Sequence, residues 1–325
     1  MKEKKFSIGI DIGGTNTVLG LVDAEGQILD KQTIKTKDSV SFDHFITALT
    51  EKINQIATKA SKNNLLGIGI GAPNANYFTG TIDHAANLPW KGSLDLRNQV
   101  QLATGFQTII TNDANAAAIG EMIYGNAKNE KNFILLTLGT GVGSGIVANG
   151  QLIYGHDSLA GEIGHMIAVR DGRECGCGRN GCLETYTSAS GVARTIREYL
   201  ENEPSNPNLP NGYLVNLQKG KENLNTKDLH DAAKIGDPLA LKIFEETGEI
   251  LGRILADVCA ITNPKLIILF GGLSLAEDFI IQPTQKSLDK HLLSIYKNKV
   301  KIILSALNHH NAAILGAASL IFAEN

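Results

Sequence analysis

One design occurs twice in this chain, and it limits the folds available to it. Residues 6–29, FSIGIDIGGTNTVLGLVDAEGQIL, read as strand, glycine turn, strand, turn, strand. Residues 132–155, NFILLTLGTGVGSGIVANGQLIYG, read the same way. The core of the repeat spans Ile8–Leu21 and Leu135–Val147. Self-similarity of this kind predicts two related domains, each presenting a Gly/Thr loop to a shared cleft. A length of 325 residues is enough for two such cores. Glycines are concentrated in these turns, where backbone must come close to another group.

The remaining pattern fits an α/β protein. Residues 44–60 carry helical apolar spacing, and LLGIGIGAP (Leu65–Pro73) is a buried strand ending in a turn. QTIITNDANAAAIGEMIYG runs from strand into helix with NDAN at the junction. Leu239–Thr262 forms a long amphipathic helix stopped by Pro264, and KLIILFGGLS is a further buried strand ending in glycines. NAAILGAASLIFAE closes the chain as a helix of small residues. Residues 201–226, rich in Pro, Asn and Gly, read as an exposed insertion.

Composition excludes several function classes. A net charge of −3 gives no nucleic-acid surface. The longest apolar runs, such as Leu266–Phe270, are too short to span a bilayer, and the basic start lacks an apolar signal core. A cytoplasmic, reducing setting is therefore expected, and it disfavours disulfides.

Five segments have the residue types for chemistry. In DIGGTNT, Gly13 and Gly14 let N–H groups converge on an anion, Thr15 and Asn16 add donors, and Asp11 is placed to hold Mg²⁺ through water. A plain tight hairpin is the competing reading. Gly139, Thr140 and Gly141 make a second such loop, and Gly271 and Gly272 end a third strand. Together the three loops suit a nucleoside triphosphate. Asn112 and Asp113 stand where a helix cap is common, and also where a carboxylate can take a proton from a substrate hydroxyl. His165, Cys175, Cys177 and Cys182 follow H-x9-C-x-C-x4-C in a glycine-rich loop. One imidazole and three thiolates are the donor set of a structural zinc site, favoured here over a redox pair because the spacing is not C-x-x-C. Cys259 lies in an apolar helix and reads as core. Glu162 and Glu184 flank the loop, either as surface charges or as acceptors for sugar hydroxyls.

With DIGGTNT, NDANAAA, LGTGVGSG, GEIGH, CGCGRNGCLE and FGGLS in this order, the sequence resembles the ROK family of repressors and kinases, and most of all its bacterial glucokinase-type members. The resemblance implies an actin-like, hexokinase-type (ribonuclease H-like) two-domain fold with the active site in the cleft. It implies a smaller domain of residues 1–114 plus 308–325 and a larger one of 115–307 carrying the zinc loop. It also implies ATP and Mg²⁺ as cofactors, a structural Zn²⁺, and transfer of the ATP γ-phosphate to a sugar 6-hydroxyl, with glucose as the expected acceptor. Asp113 becomes the base, while Asn87, Asn112, Glu162, His165 and Glu184 bind sugar, with the Asn87–Trp90 segment lining its pocket. Family members are often homodimers or homotetramers. Asn74 stands where the family commonly has glycine, which bears on sugar selectivity. N-acetylglucosamine, N-acetylmannosamine and fructose are the alternative acceptors. A sugar-responsive repressor is the reading from another class, and the first strand near Phe6 argues against it.

Overall fold

The computed structural model describes residues 4–61, 63–201, 212–218, 220, 221, 223–307 and 311–324. In chain order the elements are β1 (Phe6–Ile12), β2 (Thr17–Asp23), β3 (Ile28–Ile34), α1 (Phe42–Ala57), β4 (Leu65–Gly71), β5 (Thr81–Asp83), β6 (Ser93–Asp95), α2 (Leu96–Thr104), β7 (Thr108–Thr111) and α3 (Asp113–Tyr124). They continue with β8 (Phe133–Leu138), β9 (Val142–Ala148), β10 (Gln151–Leu152), α4 (Glu184–Thr187), α5 (Ala189–Glu201), α6 (Tyr213–Gln218), α7 (Thr226–Lys234) and α8 (Pro238–Thr262). The last are β11 (Leu266–Phe270), α9 (Asp278–His291), β12 (Lys301–Leu304) and α10 (Ala312–Glu324).

The chain divides into two units. The first comprises Met1–Lys131, Gly145–Gly161 and Ala306–Asn325; the second comprises Asn132–Ser144 and Glu162–Ser305. The sequence expectation put the boundary after residue 114. In the structure α3 counts with the first unit, because it packs on α10: Gly120 lies so close to Gly316 that an added Cβ would sit 2.9 Å from the Gly316 Cα.

The first unit holds a five-stranded sheet in the order β3-β2-β1-β4-β7. The hairpin β1–β2 is antiparallel, whereas β1, β4 and β7 are mutually parallel. Parallel strands bury both faces and so read as apolar runs. Ile8, Ile10, Ile68 and Ile70 are indeed fully buried. One face takes α1, whose Phe45, Leu49, Ile53 and Ile56 supply a buried stripe at helical spacing. The other takes α10, and here the sheet uses glycine. A Cβ at Gly9 would lie 2.0 Å from the Ile314 carbonyl oxygen, and one at Gly69 would lie 1.8 Å from that of Ala317. Helix and strands therefore meet backbone to backbone.

The second sheet has the order β10-β9-β8-β11-β12. In it β8, β11 and β12 are parallel, with Phe270 registered on Thr137. The expected helix before Pro264 is α8, capped at its start by Asp237 and ended by Asn263 in the left-handed region. Cys259 is fully buried in it. Of the expected insertion at 201–226, residues 202–211 lie outside the described residues. The described part is not wholly exposed, since Leu214 of α6 and Leu224 are buried. Among the described residues no helix is long and apolar enough to cross a membrane.

Candidate functional site

Ligands of open α/β sheets gather at the carboxyl ends of parallel strands. In the first unit, strand register brings Asp11 of β1 beside Gly71 of β4, and Gly71 beside Thr111 of β7. Apart from Asn87, each expected polar residue of this unit lies at or just after one of these strand ends. Gly13, Gly14, Thr15 and Asn16 form the β1–β2 turn, closed by a Gly13 N–H to Asn16 carbonyl bond of 3.0 Å. Asn74 follows β4, and Asn112 and Asp113 follow β7.

The junction after β7 separates the two roles weighed for it. Asn112, not Asp113, is the N-cap of α3, and its Oδ1 accepts the Ala114 N–H at 2.8 Å. Asp113 Oδ1 shares that N–H at 2.8 Å. The Asp113 residue is open to solvent at its own surface, yet the protein crowded around it deprives the carboxylate of hydration and holds its pKa above the usual range. Burial likewise pushes Asp11 up to about 6, with the Asp113 charge as the second cause. Two carboxylates thus face one location from β1 and α3.

Asn74 has φ 52°, inside the left-handed region. Asparagine tolerates that conformation better than other non-glycine residues, so it can stand at a position where the family resemblance leads one to expect glycine. Its Nδ2 donates to the Asp83 carbonyl at 3.1 Å, tying the side chain to β5. Asn87 is exposed and touches the first glycine loop: a Cβ on Gly14 would lie 2.2 Å from the Asn87 carbonyl oxygen. Leu88 and Trp90 of the Asn87–Trp90 segment face the core instead, while Pro89 is exposed. Leu88 is buried, and the Trp90 ring lies 4.7 Å from Phe45 and 5.5 Å from Phe42, its Nε1 donating to the Ser39 carbonyl. Trp90 is a core residue of the first unit; its large apolar ring is stabilised by burial against α1.

In the second unit, Gly139–Gly141 lies at the carboxyl end of β8 and Gly271 at that of its neighbour β11. Gly271 backs onto the end of β8 just before the Gly139–Gly141 turn, since a Cβ on it would lie 2.7 Å from the Leu138 carbonyl oxygen. Gly139 and Gly272 share a property with Gly176 of the cysteine loop. Neither has a positive φ, and an added Cβ would meet nothing within 4 Å at either. The protein's own packing does not require glycine there.

Glu162, His165 and Glu184 also belong to this unit. His165 Nδ1 lies 3.8 Å from Glu184 Oε1, and His165 Nε2 lies 3.8 Å from Glu162 Oε2. Glu184 Oε2 accepts the Val142 N–H at 3.5 Å, which links it to the turn at Gly141. The side chains are graded in exposure: Glu162 56%, His165 31%, Glu184 23%.

His165, Cys175, Cys177 and Cys182 converge, with all four ligand atoms within 4.8 Å of one another. Cys175 Sγ stands 3.7 Å from His165 Nδ1, and Cys177 Sγ stands 3.6 Å from Cys182 Sγ. A tetrahedron with Zn–S bonds of about 2.3 Å has sulfur pairs about 3.8 Å apart, so the donor set fits zinc in chemistry and in size. The loop closes through paired Glu174 and Asn180 and a turn from Cys175 to Gly178. Gly181 is indispensable: its φ is 80°, and a Cβ would lie 1.7 Å from the Val169 carbonyl oxygen.

Sequence reading did not find Arg173, two residues before Cys175. Its side chain is 10% exposed and bonded to Glu198, Thr195 and the carbonyls of Thr185 and Gly191. A cation beside a cysteine loop is the sole signal in the sequence, because two of its partners are main-chain carbonyls.

Comparison with known proteins shows what the whole chain is similar to. The ROK family model matches residues 7–324. A glucokinase of Halalkalibacterium halodurans is 33% identical over 322 residues, covering 98% of this chain and 95% of the relative. An N-acetylmannosamine kinase of Citrobacter koseri is 29% identical, covering 97% and 98%. A crystal structure of a ROK family glucokinase from Streptomyces griseus in complex with glucose and AMPPNP superposes with TM-score 0.78 at 31% identity, covering 97% and 98%. By motif order, fold and full-length similarity, the chain belongs to the ROK family.

Proposed function

We infer that the chain is an ATP-dependent hexose kinase that moves the γ-phosphoryl group of ATP to the 6-hydroxyl of glucose. One observation carries the reading. Strand register sets the Asp11–Asn16 loop and the Asn112–Asp113 junction at one sheet edge, with a carboxylate that retains affinity for a proton. In that reading Asp113 accepts the proton of the attacking hydroxyl. Asn112 keeps the helix capped through Oδ1 and offers its amide N–H groups to the sugar. Mg²⁺, held near Asp11, neutralises phosphate charge when nucleotide is bound.

In the second unit, the Gly139–Gly141 turn and Gly271–Gly272 hold the nucleotide through backbone N–H groups. The open space before Gly139 and Gly272 supports this, since a ligand gives a reason for glycine that packing does not. Glu162, His165 and Glu184 take sugar hydroxyls. The His165 ring serves two ends, with Nδ1 toward the cysteines and Nε2 toward Glu162. Zinc on His165, Cys175, Cys177 and Cys182 stiffens this arm and takes no part in phosphoryl transfer; a cytoplasmic setting keeps those thiols reduced.

Glucose is the acceptor favoured by the 33% identical glucokinase and by the glucose-bound structure. N-acetylmannosamine is the second reading, favoured by the 29% identical kinase. A coupled ADP-release assay over hexoses and N-acylhexosamines tests both. The highest kcat/KM is expected with glucose. ATP hydrolysis that no sugar accelerates would end the kinase assignment.

A further inference from the structure

We propose that Arg173 is the positioning residue for Glu184, an inference that rests on Glu184 being a sugar contact. Glu184 opens α4, a helix of four residues. The Glu184 carbonyl accepts the Ser188 N–H at 3.2 Å, but so short a helix leaves its later carbonyl at Thr185 and its direction to be fixed from outside. Arg173 fixes both. One guanidinium nitrogen, Nη1, donates to the carbonyl of Thr185, the residue after Glu184, at 2.6 Å, and to the Gly191 carbonyl at 3.2 Å. The other, Nη2, donates to Thr195 Oγ1 at 2.9 Å and to the Glu198 carboxylate. The guanidinium also lies 4.5 Å from the ring centre of Tyr186, whose hydroxyl accepts the Arg173 N–H at 2.8 Å. Arg173 thus grips both residues that follow Glu184 and anchors them to α5.

The cysteine cluster cannot do this alone. Cys182, its last member, precedes Glu184 by two residues, and Cys175 Sγ donates to Glu184 Oε1 at 3.0 Å, so the cluster holds the approach to α4 and the tip of the side chain but not the backbone that follows. The opposite limb of the loop has a separate anchor, because Arg253 Nη2 of α8 donates to the Ala168 carbonyl at 2.8 Å. Ala168 and Val169 in turn both donate to the Gly181 carbonyl. A metal on the cysteines would therefore share one arm with two guanidinium groups, each holding a different part of it. Arginine is required at position 173 because four acceptors lie in different directions, and lysine's single ammonium cannot reach them together.

The test is a double-mutant cycle on the full chain, with zinc content and Tm measured on every protein. Glu184→Gln is expected to raise the glucose KM about ten-fold or more, as loss of a charged hydrogen bond does. Arg173→Lys is expected to raise it about ten-fold, leaving the KM for ATP and the zinc content unchanged. In the Glu184→Gln background, Arg173→Lys should add little to the glucose KM. A lowered Tm with unchanged glucose KM, full additivity in the cycle, or loss of zinc from Arg173→Lys would each overturn the proposal. If Arg173→Lys does not fold, Glu198→Gln replaces it; a rise of about three-fold in glucose KM supports the proposal, and no rise overturns it. A glucose KM unmoved by Glu184→Gln would instead remove the sugar contact itself, and the positioning role with it.

Discussion

Asp113→Asn should make a worse enzyme and a more stable protein. Asparagine keeps an Oδ1 that accepts the Ala114 N–H, so the start of α3 is preserved. It removes a charge from the pair with Asp11, whose own carboxyl stands at about 6 against an ordinary 3.8. That rise corresponds to roughly 3 kcal/mol, an upper bound because Asp11 is partly solvated. Burial is the larger cause and Asp113 the smaller, so the substitution should return about 1 kcal/mol of it. The sign follows from a raised folded pKa. The unfolded chain ionises first, so Asp11 costs stability as pH climbs from about 4 to about 6, and its cost is complete above that window. The assay is Tm against pH for ligand-free protein, beside kcat for the same preparation. The variant should melt about 2–4 °C higher at pH 8, with the gap closing near pH 4. Its kcat should fall about 10²–10⁴-fold if Asp113 is the base. Turnover near that of the parent chain would refute the base assignment. A variant less stable at pH 8 would refute the electrostatic argument.

Three further predictions rest on separate features. Gly139→Ala should leave Tm within about 1 °C, since its Cβ meets nothing, yet raise the KM for ATP several-fold; unchanged nucleotide affinity would exclude Gly139 from the phosphate loop. Glu277 has φ 50° and ψ −122°, a conformation suited to glycine. Glu277→Gly should therefore raise stability by about 1 kcal/mol, read from the urea midpoint; a lower midpoint would show that the residue's contacts outweigh its backbone strain. Metal analysis should find about one zinc per chain, and Cys177→Ala should lower both zinc content and Tm; a metal-free protein of full stability would refute the structural site.

Much of this was legible in the sequence because backbone demands leave characteristic residues. The duplicated glycine turns marked strand ends, and the cysteine spacing identified four side chains that the fold does bring together. What sequence could not show depends on partners without side-chain identity. Arg173 acts on carbonyls, which every residue carries. Trp90 sits in a loop segment of mixed polarity, and only its neighbours Phe42 and Phe45 on α1 reveal that it faces inward. Asn74 was visible as a letter, whereas the left-handed backbone it adopts required coordinates. The division at residue 114 differed from the structural one because α3 belongs with a helix almost two hundred residues later.

The bed of glycines beneath α10 also governs when the first unit can finish folding. β1 and β4 meet that helix through Gly9 and Gly69, where no side chain covers the face. At a synthesis rate of about 5–20 residues per second, roughly 15–60 s separate β1 from α10 on the ribosome. The Asp11 loop is thus encoded early but braced late, whereas β8, β11 and β12 with their helices are already translated by residue 305. Nascent chains arrested before Ala312 should accordingly carry a protease-sensitive first unit beside a protected second one.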